Sequence, residues 1–333
     1  MARMRSLRRL VCVVGVLCVA GVLTALPSSS SSARPAAERC LGAAPLPAAA
    51  LPAASTAAAD SPGCSLVGRT VRAHGVSVVV PPAGLTAAGE GVSRDGDVIG
   101  LTVTNTGHGV TASSGRVRAH AAGAGAAPRT SSPPACQDRT FDLEGHHWKT
   151  AYRFHLHLAK MPGRYHAKTV VRQVKAANHH LRTGDNTCGR PRIDTPGAGY
   201  LGRTSSHPNI QVDGSTVGCG RYNTVNVVGF ADLPGNLLGW TCFWWVDGGR
   251  IDAADVVMDT GPALTTHLPD ACTDRWDFEG AVTHEMGHVY GLGHTGSGHA
   301  NLTMQHVLRP CSTYARTLGL GDWLGLKKMY GVR

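Results

Sequence analysis

The stretch THEMGHVYGLGHTG, residues 283–296, constrains this chain more tightly than any other part of it. It places His284, Glu285, His288 and His294 within eleven positions. On an α-helix, residues four apart share one face about a turn apart, so His284 and His288 can aim their imidazoles at a single point. Gly291 is where such a helix should end, because glycine takes the left-handed C-terminal conformation without steric cost. His294 can then return from outside the helix as a third ligand. Three neutral imidazoles suit Zn²⁺ and leave its fourth tetrahedral position open, the pattern of a reactive rather than a closed metal site. Glu285 is offset from the ligand face by roughly 100°. From there it can accept a proton from water that the metal acidifies and hand it to a leaving group.

The rest of the chain must build a scaffold around that helix. With 333 residues and 42% hydrophobic content it can form one large domain or two smaller ones. Residues 1–33 have the parts of a secretory signal: Arg3, Arg5, Arg8 and Arg9, an apolar run from Leu10 to Leu26, then the small residues of LPSSSSSA. A retained membrane anchor is the competing reading, because the run is close to the lower limit for a span. Loss of the signal lowers the net charge from +10 to +6. No basic run is interleaved with aromatics, so nucleic acid is excluded as a partner. Ten cysteines are present, of which Cys12 and Cys18 leave with the signal. The other eight, Cys40, Cys64, Cys136, Cys188, Cys219, Cys242, Cys272 and Cys311, are widely spaced and include no CxxC pair. In an exported chain that points to disulfides and against a cysteine-ligated zinc. The expected location is secreted and extracellular, with no membrane contact after signal cleavage.

Residues 34–61 are alanine, proline and serine with few large side chains, and read as a linker. Residues 62–135 open with β-branched runs such as VRAHGVSVVVPP and DVIGLTVTNTGHGV, read as a small β-rich region of unknown role, a propeptide among the possibilities. They close with the soft stretch AAGAGAAPRTSSPPAC, which marks a boundary near 135. Residues 136–333 read as a packed domain of helices and strands. AYRFHLHLA alternates as a strand, and Val170, Val174, Ala177 and Leu181 follow at helical spacing. Strand-like runs come at 224–230, 240–246 and 254–260, then the active-site helix, then a last helix with Trp323, Leu326 and Tyr330 on one side.

HExxHxxGxxH followed by a methionine is a zinc peptidase signature. Over residues 145–332 the chain resembles the metzincin clan, and within it the matrixin-like secreted metalloendopeptidases. The resemblance implies an α+β zincin fold: a twisted mixed five-stranded sheet, two long helices and a C-terminal helix, here preceded by the β-rich N-terminal region. It makes Met304 the methionine whose side chain floors the metal, and LGWTCFWWVDG (238–248) the edge strand that pairs with extended substrate. Tyr314 becomes a candidate hydrogen-bond donor to the reacting carbonyl. The chain departs from the matrixin pattern at Thr295, Gln305 and His306, and Val257 stands where vertebrate matrixins carry a histidine for a second zinc. One zinc is therefore expected, and His155, His157 and His207 are read as core or surface residues. NTCGRPR around Cys188 is similar to the cysteine switch of matrixin propeptides, but it follows the first strand and helix, which favours a disulfide. Cys272 and Cys311, in loops flanking the active-site helix and the methionine turn, are the expected pair.

The expectation is a secreted monomeric zinc endopeptidase acting on peptide or protein substrates, with His284, His288 and His294 on the metal and Glu285 as general base. Two alternatives stand beside it. One is a non-catalytic extracellular protein that keeps zinc as structure; the other is an adhesion role carried by residues 62–125. Calcium is left undecided, with Asp247, Asp252 and Asp255 as its candidate ligands.

Overall fold

The computed structural model describes residues 44–51, 65–96, 98–117 and 132–333, which belong to one compact unit. The expected signal and its possible anchor role lie outside them, as do Cys40 and Cys64. Among the described residues no helix is long and apolar enough to cross a membrane.

The N-terminal part supplies β1 (Leu46–Pro47), β2 (Thr70–Ala73), β3 (Val76–Val79), β4 (Leu85–Ser93), β5 (Val98–Asn105) and β6 (Val110–Val117). There follow β7 (Asp142–Leu143), β8 (Tyr152–Leu156), helix α1 (Ala167–Thr183), β9 (Ala198–Arg203), β10 (Ile210–Asp213), β11 (Thr216–Cys219) and β12 (Asn226–Ala231). The last part contains β13 (Leu237–Val246), β14 (Arg250–Asp259), β15 (Leu264–Thr265), β16 (Trp276–Asp277), helix α2 (Phe278–Val289), β17 (Leu292–Gly293) and helix α3 (Leu320–Tyr330).

The protein is mixed, with helices and strands packed in layers, but the expected five-stranded sheet is larger. Eight strands form it, in the order β6-β5-β4-β13-β14-β12-β8-β9. The four strand runs read from residues 136–333 are its β8, β12, β13 and β14; β9 was not among them, and β4, β5 and β6 of the N-terminal region extend the sheet past β13. This corrects the placing of 238–248 at an edge. β13 pairs antiparallel with β14 on one side and antiparallel with β4 on the other, with Trp240 opposite Gly91 and Thr241 opposite Glu90. The physical reason is the unpaired backbone that an edge strand presents, which another extended segment can satisfy; here residues 85–93 of the same chain do so. A second, five-stranded sheet, β1-β2-β3-β11-β10, also joins N-terminal strands to later ones, through the parallel pairing of β3 with β11. Within the expected linker, Leu46–Pro47 pairs with β2.

Strand alternation sorts side chains into two cores. From β13, Trp240, Cys242 and Trp244 enter the core under the smaller sheet together with Ala87, Val103 and Val257. Phe243 enters the other core, beneath the helices, and so does Leu238, which lies at the register shift between Leu237 and Gly239. There α1 contributes Val170, Val174, Ala177 and Leu181, each fully buried at the spacing read from the sequence. Helix α2 is buried along its whole length apart from the half-buried Glu279. Asp277 starts it, its side chain accepting from the Gly280 N–H at 2.7 Å while Arg316 holds the same carboxylate.

Three disulfides connect the described residues: Cys136–Cys188, Cys219–Cys242 and Cys272–Cys311. The second ties β11 of the smaller sheet to β13 of the larger. The third is the expected pair, and Cys188 is engaged in the first.

Candidate metal centre

Helix α2 presents His284 and His288 one turn apart, and it gives way at Tyr290 and Gly291, whose φ of 93° is open to glycine and strained for other residues. The chain then reverses through β17 and returns His294. All three residues assigned to metal meet: their Nε2 atoms form a triangle with sides of 3.1, 3.1 and 3.1 Å. They are buried, with His294 at 7% the most exposed.

The tautomers follow from the ring nitrogens that point away. His284 Nδ1 lies 2.7 Å from the Thr303 carbonyl and His288 Nδ1 lies 3.0 Å from the Leu292 carbonyl. A carbonyl only accepts, so each Nδ1 carries the proton and each Nε2 keeps a lone pair. Burial holds all three rings neutral, lowering His288 to about 4 and His284 and His294 well below the usual range. Convergent lone pairs 3.1 Å apart in a dry interior repel one another unless a cation lies among them. Metal–nitrogen bonds of about 2.0–2.1 Å span such a triangle. These residues fit a metal ion, and the donor chemistry is that of a borderline-soft divalent cation.

Glu285 is fully buried. Its Oε2 accepts from the Thr241 hydroxyl at 2.5 Å and its Oε1 from the Val92 N–H at 3.0 Å. Burial pushes its carboxyl up to about 8, against the pull of those two donors. A cation in the neighbouring triangle would favour the ionised form. Gly239, on β13 above it, leaves the space that this carboxylate fills, since a β-carbon there would lie 2.6 Å from Oε1.

Met304 is buried against Gly287 of α2, where a β-carbon would run into its sulfur. Asp322 of α3 fixes this turn: its carboxylate accepts from the backbone N–H groups of Thr303, Met304 and Gly319 at 2.8, 3.1 and 2.9 Å. Thr303 in turn receives His284. Tyr314 is half-buried, with the Arg309 guanidinium 4.3 Å over its ring and its hydroxyl pushed up to about 12 by burial.

Several contributors were missed in the sequence. Glu90 of β4 places Oε2 3.5 Å from His294 Nδ1 and 3.9 Å from His288 Nδ1. Glu144 stands 4.0 Å from His288 Nδ1, and burial drives both carboxyls up, Glu90 to about 7. An acid between two glycines in AAGEGVS is the one local oddity that marks Glu90. Thr241 and Asp322 carry no local signal.

Other candidates fall elsewhere. His157 packs its ring 4.2 Å from that of His207, and the two belong to no described group of three metal-binding side chains. Val257 is core. Two of the calcium candidates are engaged separately: Asp255 accepts from the Asn209 and Val227 N–H groups, and Asp252 from Arg250 and Tyr222.

No family model matches the chain, and no curated protein matches it either.

Proposed function

We propose that this chain is a secreted zinc endopeptidase, similar to the matrixin-like metzincins. The observation that carries the reading is the convergence of three imidazole lone pairs, two of them from the helix that also carries the Glu285 carboxylate. The order β9-β8-β12-β14-β13, with β13 alone antiparallel to its neighbour β14, supports the zincin part of it.

His284, His288 and His294 would hold the zinc, which when bound supplies Lewis acidity toward a peptide carbonyl and toward water. Glu285 takes the proton of the attacking water and delivers it to the leaving amine. Thr241 holds one carboxylate oxygen, and the other, which now accepts from the Val92 N–H, is the one left to take the proton once that donor is withdrawn. Once residues 90–93 are displaced from it, the backbone of β13 can align an extended peptide, and the buried walls exclude bulk water, which strengthens each of these polar interactions.

The test is hydrolysis of an extended fluorogenic peptide, before and after limited proteolysis, by the zinc-loaded chain and its Glu285→Gln variant. The variant should keep one zinc per chain and lose activity, while His284→Ala, His288→Ala and His294→Ala should lose the metal. Hydrolysis that survives Glu285→Gln sinks the general-base role. The complete burial of the histidines and Glu285 favours one second reading, a zinc held as structure in a binding protein; a chain that keeps zinc and cleaves nothing in either state would fit it.

A further inference from the structure

The groove beside β13 is filled. Residues 85–93 lie along it antiparallel, from Leu85 opposite Val246 to Ser93 opposite Leu237. At its far end the same segment is held from the other side: the Ser93 N–H donates to the His306 carbonyl, and the Leu308 N–H donates to the Ser93 carbonyl, a parallel bridge to the stretch just past Met304. Ser93 is thus bracketed between β13 and residues 306–308. Side chains along the segment alternate. Glu90 and Val92 turn toward helix α2, where Glu90 comes within 3.5 Å of His294 and the Val92 N–H donates to Glu285. Gly89 and Gly91 turn toward the smaller sheet and lie against Trp240.

We propose that residues 85–93 are the chain's own occupant of the groove in which extended substrates lie, and that this groove requires glycine at the place of Gly91. The proposal rests on the endopeptidase reading for the word substrate, while the occupancy itself rests on the pairing. A peptide that reached the metal triangle along β13 would need the same backbone donors and acceptors, and the same approach to Glu285, that residues 90–93 now use. Both cannot be present, so the chain as folded is latent. The segment that must move is short: β4 pairs with β5 only as far as Gly89, so residues 90–93 can peel from β13 without unzipping the β4–β5 hairpin. Glycine is needed because of the strand's other face. A β-carbon at Gly91 would run into the Gly239 carbonyl and approach Trp240 to 2.9 Å, and one at Gly89 would lie 2.8 Å from both Cys219 Sγ and Trp240. An incoming chain with a larger residue opposite Trp240 meets the same backbone. The expected substrate is therefore an extended, glycine-containing segment.

The experiment compares the zinc-loaded full chain with Gly91→Val, and with Gly89→Val should the first variant fail to fold. Zinc removal by a small chelator such as dipicolinate should accelerate about tenfold or more in the variant, as expected when a minor open state becomes well populated. Cleavage of an extended fluorogenic peptide should rise alongside it. A labelled nonapeptide LTAAGEGVS should bind the opened variant, and the same peptide with valine in place of Gly91 should not. Equal chelator access in the wild type and the variants overturns the occupancy, and equal binding of the two nonapeptides overturns the glycine requirement. Faster chelator access and nonapeptide binding without any peptide cleavage would uphold the occupied groove and remove the endopeptidase reading instead.

Discussion

Replacing Asp322 with Asn tests how the last helix holds the metal centre together. Asp322 is fully buried and its carboxylate accepts three backbone N–H groups, from Thr303 and Gly319 at Oδ2 and from Met304 at Oδ1. Burial outweighs those donors and pushes its carboxyl up to about 6, so at pH 7 it is ionised and all three bonds are charge-assisted. Hydrogen bonds to a charged group contribute about 1.5–3 kcal/mol each. Asparagine keeps one oxygen, so its amide must face either the Met304 N–H or the Thr303 and Gly319 pair, and donor then opposes donor. The loss of one or two bonds costs about 2–4 kcal/mol, and Asp322→Ala, which orphans all three N–H groups, costs more.

The consequence should reach the metal. The Thr303 carbonyl orients His284 through its Nδ1, and Met304 packs against Gly287 between the two helical histidines. Outer partners of this kind are typically worth about 10–100-fold in metal affinity. Urea unfolding of the metal-free protein isolates the first effect, and zinc competition with a chromophoric chelator measures the second. A midpoint within about 0.5 kcal/mol of wild type, together with unchanged zinc affinity, would refute the chain of support from α3 to His284.

Two further outcomes follow from groups away from the triangle. Replacing Cys272 and Cys311 with serine opens a loop of 39-residue separation, which on the chain-entropy account costs about 4 kcal/mol; thermal unfolding under non-reducing conditions checks it, and an unchanged midpoint would show that the bridge contributes nothing. Asp255, 1% exposed on β14, has its carboxyl pushed by burial from 3.8 up to about 7. A raised carboxyl contributes stability that is full below its unfolded pKa and is lost as pH rises through the folded one, here across roughly pH 4 to 7, by roughly 4 kcal/mol at most. Asp255→Asn should flatten the stability profile over that window, and parallel urea-midpoint profiles for variant and wild type would contradict it.

How much of this was legible in the sequence depends on the range of the signal. The stripe of Val170, Val174, Ala177 and Leu181 and the i, i+4 histidines are local periodicities, and each appears on a helix as read. Gly291 was readable for the same reason, because its left-handed φ is a property of one residue. What was illegible is pairing across distance. Nothing near Glu90 announces Thr241, about 150 positions on, as its partner, and the backbone that pairs them has no residue-specific code. The edge position that the resemblance implies for residues 238–248 has no place for β4, which comes from the N-terminal region. The glycines of AAGEGVS have no local reason either; theirs is the Trp240 ring across the ladder. Asp322 escaped notice because an acid in the first turn of a helix needs no further explanation.

The polar cluster around the triangle joins these features physically. The fully buried Glu285 and the half-buried Glu90 and Glu144 lie around three neutral imidazoles, and desolvation raises the pKa of all three carboxyls. Buried acids of this kind are tolerated in two ways, by carrying protons or by facing a cation. Metal uptake by His284, His288 and His294 therefore favours proton release from the acids around it, and the two events are linked. Glu90 belongs to that balance only while β4 lies on β13. On the proposed reading, when residues 90–93 leave, one acid leaves with them, Glu285 loses the Val92 N–H, and water enters. On that reading the strand's departure clears the groove, and the entering water and the loss of Glu90 favour the ionised form of Glu285, against the loss of the Val92 donor.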